Sequence, residues 1–294
     1  MPELGKLGVW FFTDARDANG AAQFAKDVES LGYSALWIPE TVGRHPFAHA
    51  SWLLANTTDL IVATGIASIY NRDPGASMAG ARTLAEQSGG RFVMGLGVSH
   101  APLVEGVRGH QYGKPYSTMK EYLTTMEKAL YQAVPPAEEP KVVIAALGPK
   151  MLELASQKAN GANPYFTTPE HTRQAREIMG PDAMLCVEQK IILETDVDKA
   201  RAAARGVAQI YSGLPNYRNN WFRLGFTEDE VNNLDDRFID GTFAHGDLDA
   251  IMGRIQAHID AGASHVCIQP VNPSGVMVEP DMDALKAVAG AFDG

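Results

Sequence analysis

GGRFVMGLGVSHAP, residues 89–102, is the stretch on which the fold turns. An apolar run enters Gly95-Leu96-Gly97 and leaves through Val98-Ser99-His100 into a polar, proline-bearing segment. A dinucleotide-binding turn needs a third glycine at the position of His100 and a helix directly behind it. Ala101 and Pro102 follow instead, and then a glycine-containing loop. The glycines keep a different use, because a strand end without Cβ atoms lets a flat ligand lie close to the backbone. The stretch reads as one strand of a strand–helix repeat whose C-terminal end opens onto a loop.

The repeat extends in both directions. Short apolar runs predict strands at 7–12, 35–39, 60–66, 91–97, 141–146, 163–166, 186–193 and 265–270. Residues 20–31 put Ala21, Phe24, Val28 and Leu31 on one helix face, with Asn19 as N-cap and Gly32 beyond the end. Residues 117–131 do the same through Met119, Tyr122, Leu123, Met126 and Leu130, and 197–212 also reads as a helix. A late helix carries Leu248, Ile251, Ile255 and Ile259 between Asp247 and Gly262. Eight strands alternating with helices in 294 residues predict an α/β fold, a (β/α)8 TIM barrel forming one domain over 1–294. The competing doubly wound sheet carries its glycine fingerprint after the first strand, but here that strand runs into FFTDARDANG (11–20). Two segments, around 99–115 and 213–246, exceed ordinary connections and read as insertions. Functional loops of a barrel gather at the C-terminal ends of its strands, where the first of these begins.

Composition narrows the function. The formal charge of −10, from 25 basic and 35 acidic residues, argues against a nucleic-acid footprint and against adhesion to anionic membranes. No apolar stretch is long enough to span a bilayer, so a soluble cytoplasmic protein is expected. Cys186 and Cys267 each lie in a short apolar run and read as buried free thiols. His45 and His49 are four apart, a spacing a metal can use on a helix, but no third ligand accompanies them and no metal is expected. Trp10, Trp37 and Trp52 read as core or mouth wall. Tyr217, Trp221 and Phe222 in the long insertion cover a hydrophobic substrate or anchor a dimer.

In AALGPKMLELA (145–155), Leu147-Gly148 ends a strand and Pro149 suits a first helical turn, whose free N–H groups favour an anion. Together with ALWIPETVGRHPF (35–47), ATGIASIYNRDP (63–74), GGRFVMGLGVSH (89–100) and AGASHVCIQP (261–270), this segment carries a resemblance to a known family. The chain resembles the bacterial luciferase-like monooxygenase superfamily, and within it the branch of oxidoreductases that use the deazaflavin coenzyme F420. The resemblance implies a hydride transfer between the deazaflavin and a small organic substrate. FMN-dependent monooxygenation, or a non-catalytic flavin- or deazaflavin-binding barrel, are the alternatives.

The resemblance also assigns residues. It implies a ring in the barrel mouth, backed by a non-prolyl cis peptide at Gly65–Ile66, with Ala67 and Ser68 as alternative positions. Gly97, Val98 and Ser99 would line the cofactor, and Ala146, Leu147, Gly148 and Pro149 match the phosphate site. Phe166 and Thr167 would complete the rim. Glu40 falls where relatives place an acidic residue near the ring's redox edge; it reads as catalytic, or as an ordinary salt bridge to Arg44 or Arg72. Several relatives carry a catalytic histidine where this chain has Thr41. His100 is the nearest substitute, a donor or acceptor of the proton that accompanies hydride transfer. Relatives often dimerise, so a homodimer is expected.

Overall fold

The computed structural model describes residues 3–292; positions 1–2 and 293–294 of the expected domain lie outside them. The apolar runs form ten strands among the described residues. They are β1 (Leu7–Trp10), β2 (Ala35–Ile38), β3 (Ile61–Thr64), β4 (Ala67–Ser68), β5 (Phe92–Gly97), β6 (Lys141–Ile144), β7 (Gly161–Ala162), β8 (Met184–Leu193), β9 (Phe243–Gly246) and β10 (His265–Pro270). All named pairings are parallel. The order β10-β1-β2-β3-β5-β6-β7-β8 closes on itself through β10–β8, which makes the eight-stranded barrel that the periodicity predicts. Beyond the ring, β4 adds to β5 past the end of β3, and β9 extends the far half of β8.

Strand alternation divides the apolar residues between two layers. Trp10, Trp37, Ala63, Val93, Val143, Cys186 and Cys267 fill the barrel. Their neighbours Val9, Leu36, Val62, Met94, Ile144, Val187 and Ile268 face the surrounding helices. Both cysteines are buried and free. At the bottom of the barrel, His265 takes the space of a missing side chain: a Cβ on Gly8 would lie 2.6 Å from its ring.

Local departures have local causes. The first helix is Ala18–Ser30 and is capped by Asp17, whose carboxylate accepts from Gly20 N–H, rather than by Asn19. The helix expected over 117–131 spans Pro115–Met126, so Leu130 falls outside its apolar face and is 90% exposed. The strand expected at 163–166 pairs regularly only at Gly161–Ala162; Pro164 brings no N–H to a ladder. Trp52 lies neither in the core nor at the mouth: it is 42% exposed on the outer helix Pro46–Ala55, donating to Ala18 O.

After β8 the chain leaves the barrel through helices Val197–Tyr211, Pro215–Arg223, Glu228–Asn233 and Asp236–Thr242 and returns by β9, a strand not anticipated from the sequence. These helices own a second apolar core in which Phe166, Tyr217, Trp221, Phe238 and Phe243 meet. Tyr217 and Trp221 are thus buried structure, while Phe222 remains partly exposed beneath the Arg218 guanidinium. No helix among the described residues is long and apolar enough to cross a membrane.

Candidate active site at the barrel mouth

The floor of the mouth is built where β3 ends. The Gly65–Ile66 peptide is cis. Trp10 Nε1–H donates to Gly65 O (2.8 Å), Gly65 N–H to Ile38 O (2.8 Å), and Glu40 N–H to Ile66 O (3.1 Å). Gly65 is buried, since a Cβ there would stand 2.7 Å from the Trp10 indole nitrogen. Gly97 is buried too: its absent Cβ leaves room for the Ile66 side chain, whose carbons would be 2.5 Å away. The bare strand end therefore accommodates a neighbouring side chain rather than presenting itself to open space. Ile66, Val98 and Ser99 carry the partly exposed surface at this point, while Ala67 and Ser68 lie beneath it. Ser99 has φ 55°, in the left-handed region that a non-glycine residue adopts at a cost.

Glu40 takes the salt-bridge alternative, with Arg72. Arg72 Nη2 donates to Glu40 Oε1 (2.5 Å) and Nη1 to Oε2 (3.0 Å), and Oε2 also accepts from Ser68 N–H (2.7 Å). The two side chains are 5% and 7% exposed. A carboxylate so fully engaged fixes the loop below Ile66 and has little capacity left for a heterocycle. Arg44 turns elsewhere, to Thr13 O and Arg16 O.

His100 stands on the mouth side, partly exposed, with its ring 5.6 Å from that of Tyr217. Burial pushes its imidazole below the ordinary histidine range, and a hydrogen bond with the Asn216 side chain opposes that only in part. That shift favours the neutral form of the ring. Thr41, at the family's histidine position, is covered by Arg108, whose Nη2 donates to Thr41 O (2.6 Å).

The opposite wall is the start of the helix Pro149–Lys158. Gly148 is its N-cap and no side chain caps it. Ala146 is buried, whereas Leu147 and Gly148 are partly exposed and Pro149 is exposed. Arg223, from the insertion, places Nη2 3.5 Å from where a Gly148 Cβ would be. His171, at the start of the helix Pro169–Met179, hydrogen-bonds Leu147 O through Nε2 (2.8 Å), and burial lowers its pKa to about 4. Thr167 Oγ1, Asn220 Nδ2 and His171 Nδ1 are buried without hydrogen-bond partners. With Nε2–H donating to Leu147 O, the neutral ring leaves His171 Nδ1 as an acceptor; the unpaired Asn220 amide, the Arg223 guanidinium and the uncapped helix start are the donors that suit an anion, so these residues fit a phosphoryl group.

Sequence reasoning missed the polar cluster inside the barrel. Lys190 Nζ reaches Glu188 Oε2 at 3.0 Å, with both side chains 0% exposed. The ammonium lies 3.7 Å from the Tyr165 ring centre and 3.9 Å from that of Phe166. Glu188 Oε2 accepts from Phe166 N–H (2.9 Å), and Phe166 O accepts from Trp221 Nε1–H (3.1 Å). These bonds hold Phe166 at φ 57°. Burial pushes the Glu188 carboxyl up and draws the Lys190 ammonium down to about 8. The signal was available: two opposite charges two residues apart inside CVEQKIIL must share the inward face of one strand. Among the described residues, no group of three or more metal-type side chains is assembled. His45 caps the helix Pro46–Ala55, and His49 bonds Thr13 Oγ1 (2.8 Å).

Residues 6–265 match the family model described as luciferase-like monooxygenase. The chain is similar to the 5,10-methylenetetrahydromethanopterin reductase of Archaeoglobus fulgidus, 27% identical over 273 residues, covering 82% of this chain and 80% of that one. Its fold is similar to that of an F420-dependent secondary alcohol dehydrogenase solved with an F420–acetone adduct (TM-score 0.77, 15% identity, 99% and 98% coverage). It is also similar to the oxygenating constituent of 3,6-diketocamphane monooxygenase of Pseudomonas putida in complex with FMN (TM-score 0.70, 14% identity, 97% and 96% coverage).

Proposed function

Since the chain belongs to the luciferase-like monooxygenase family, we propose that it is an F420-dependent oxidoreductase acting on a small organic substrate, and that it works as a cytoplasmic homodimer. One observation carries the reading: a partly exposed apolar floor at Ile66 and Val98 shares the mouth with a cationic, donor-rich wall at Gly148 and Arg223. A planar ring with an anionic tail suits that pairing. Leu147, Gly148 and the first turn behind Pro149 would hold the phosphoryl group, with Ile66, Val98 and Ser99 under the ring. When bound, the deazaflavin supplies the carbon that exchanges hydride, and the protein supplies position and the exclusion of water. His100 would accept or donate the accompanying proton at its imidazole, and Arg72 keeps Glu40 in the role of a positioning residue. The unlinked thiols of Cys186 and Cys267 fit a reducing compartment.

The likeness to an FMN-bound monooxygenase supports the second reading, because both cofactors share a ring shape and a ribityl phosphate. Titration of the purified protein with F420 and with FMN, read by absorbance, separates the two. Binding of F420, followed by its reduction or oxidation with a panel of alcohols, aldehydes and enones, is the expected outcome. Tight FMN binding with no response to F420 overturns the choice of cofactor. Binding of either without hydride exchange across the panel leaves a non-catalytic barrel.

A further inference from the structure

The insertion brings more hydrogen-bond donors to the Gly148 wall than the protein itself satisfies. Among the described residues Arg223 forms no ion pair; its Nη2 donates to Asn220 Oδ1 (3.2 Å) and faces the bare Cα of Gly148. Asn220 is 1% exposed, yet its Nδ2 has no partner. With its oxygen fixed on the Arg223 guanidinium, the amide keeps its NH2 close by and unsatisfied. The helix start at Pro149 adds N–H groups with no capping side chain. Arg223, the unpaired Asn220 NH2 and the free N–H groups of the helix start are all donors. A ligand that offers only acceptors, with negative charge, removes the cost of the orphan amide and meets the planar fork of Arg223.

We propose that Arg223 and Asn220 complete a phosphoryl-binding site with the Gly148 helix start, so that a bound phosphoryl group ties the insertion to the barrel. Assignment of that group to a cofactor tail rests on the oxidoreductase reading; the donor set stands without it. Because both side chains come from the helix Pro215–Arg223, occupancy of the site restrains a segment that otherwise packs mainly on the insertion's own core.

Inorganic phosphate at constant ionic strength is the probe, read by thermal shift and by hydrogen exchange of residues 215–223. In the wild-type protein phosphate should raise the melting temperature and slow exchange in that segment. Arg223→Gln should weaken apparent phosphate affinity about tenfold, the loss of one charge-assisted bond, and Arg223→Lys should recover part of it. A purely structural arginine would instead alter exchange without phosphate and leave the phosphate response unchanged, which overturns the assignment. So does a wild-type protein indifferent to phosphate. In protein saturated with F420 the phosphate effect should vanish, since the tail occupies the site; persistence would overturn the shared location. A protein that binds phosphate through Arg223 but ignores both F420 and FMN would defeat the oxidoreductase reading alone.

Discussion

Glu40 and His100 were equivalent candidates as residue types, and their neighbours separate them. Glu40 is enclosed with Arg72, which also stacks over the Phe47 ring at 5.0 Å. Removing one partner of such a pair leaves a buried charge uncompensated, at a typical cost of about 3–5 kcal/mol. Glu40→Gln should therefore lower unfolding free energy in urea by about 3 kcal/mol, with Arg72→Met costing a similar amount and the double variant less than the sum. A Glu40→Gln protein of wild-type stability would return Glu40 to the list of free catalytic carboxylates. His100 has no such anchor on its ring beyond Asn216. His100→Ala should fold and bind cofactor nearly as the wild type does while turnover falls about a hundredfold. Its acid limb supplies a second readout: with the pKa lowered, the wild-type rate should decline only below the ordinary histidine range, and the variant should lose that limb. Unchanged turnover and an unchanged profile would remove His100 from proton transfer.

At the scale of elements, the barrel was legible because each strand is buried on both faces, so an apolar run survives whatever the helices do. The end of β5 illustrates the limit. The glycines were correctly read as a strand end without a dinucleotide turn, but that Gly97 would be covered by Ile66 depends on the path of a different strand. Arg223 and Asn220 were illegible for the same reason: only the packing of the insertion around Trp221 and Phe238 carries them to Gly148. Strand β7 was misplaced because its paired residues, Gly161 and Ala162, carry no apolar signal, while the conspicuous NPYF that follows is mostly irregular. Its glycine is demanded by geometry, since a Cβ at 161 would stand 1.9 Å from the backbone oxygen of Met184 on β8. Backbone cannot yield as a flexible side chain can. Gly161→Ala should part β7 from β8 and cost about 3 kcal/mol or more in urea unfolding. Full stability would mean that the two strands have freedom to separate without loss.

For the whole molecule, buried imidazoles set the response to acid. Burial draws His49, His171 and His265 down to about 4 and His258 to about 3, while the unfolded chain retains the ordinary value near 6.5. His265 shows why the neutral form is held. Its Nδ1 bonds Gly5 O (2.5 Å) and its Nε2 accepts from Trp37 Nε1–H (3.0 Å), so a second ring proton would confront a donor inside the barrel. His258 is fixed between Thr172 Oγ1 (2.8 Å) and Gln189 Oε1 (2.9 Å). Between about pH 6.5 and 4 the unfolded state binds protons that the folded state refuses, so stability rises with pH across that window and is lost as pH falls through it. Each fully effective histidine contributes at most about 1.4 kcal/mol per pH unit. Glu188, pushed up by burial, works in the opposite direction as a single group against four. Urea unfolding between pH 6 and 4.5 should show a steep fall in free energy, and His258→Gln should make the slope shallower by about 1.4 kcal/mol per pH unit, whatever it does to stability at pH 7. A flat profile, or an undiminished slope in the variant, would mean that these rings accept protons within the fold.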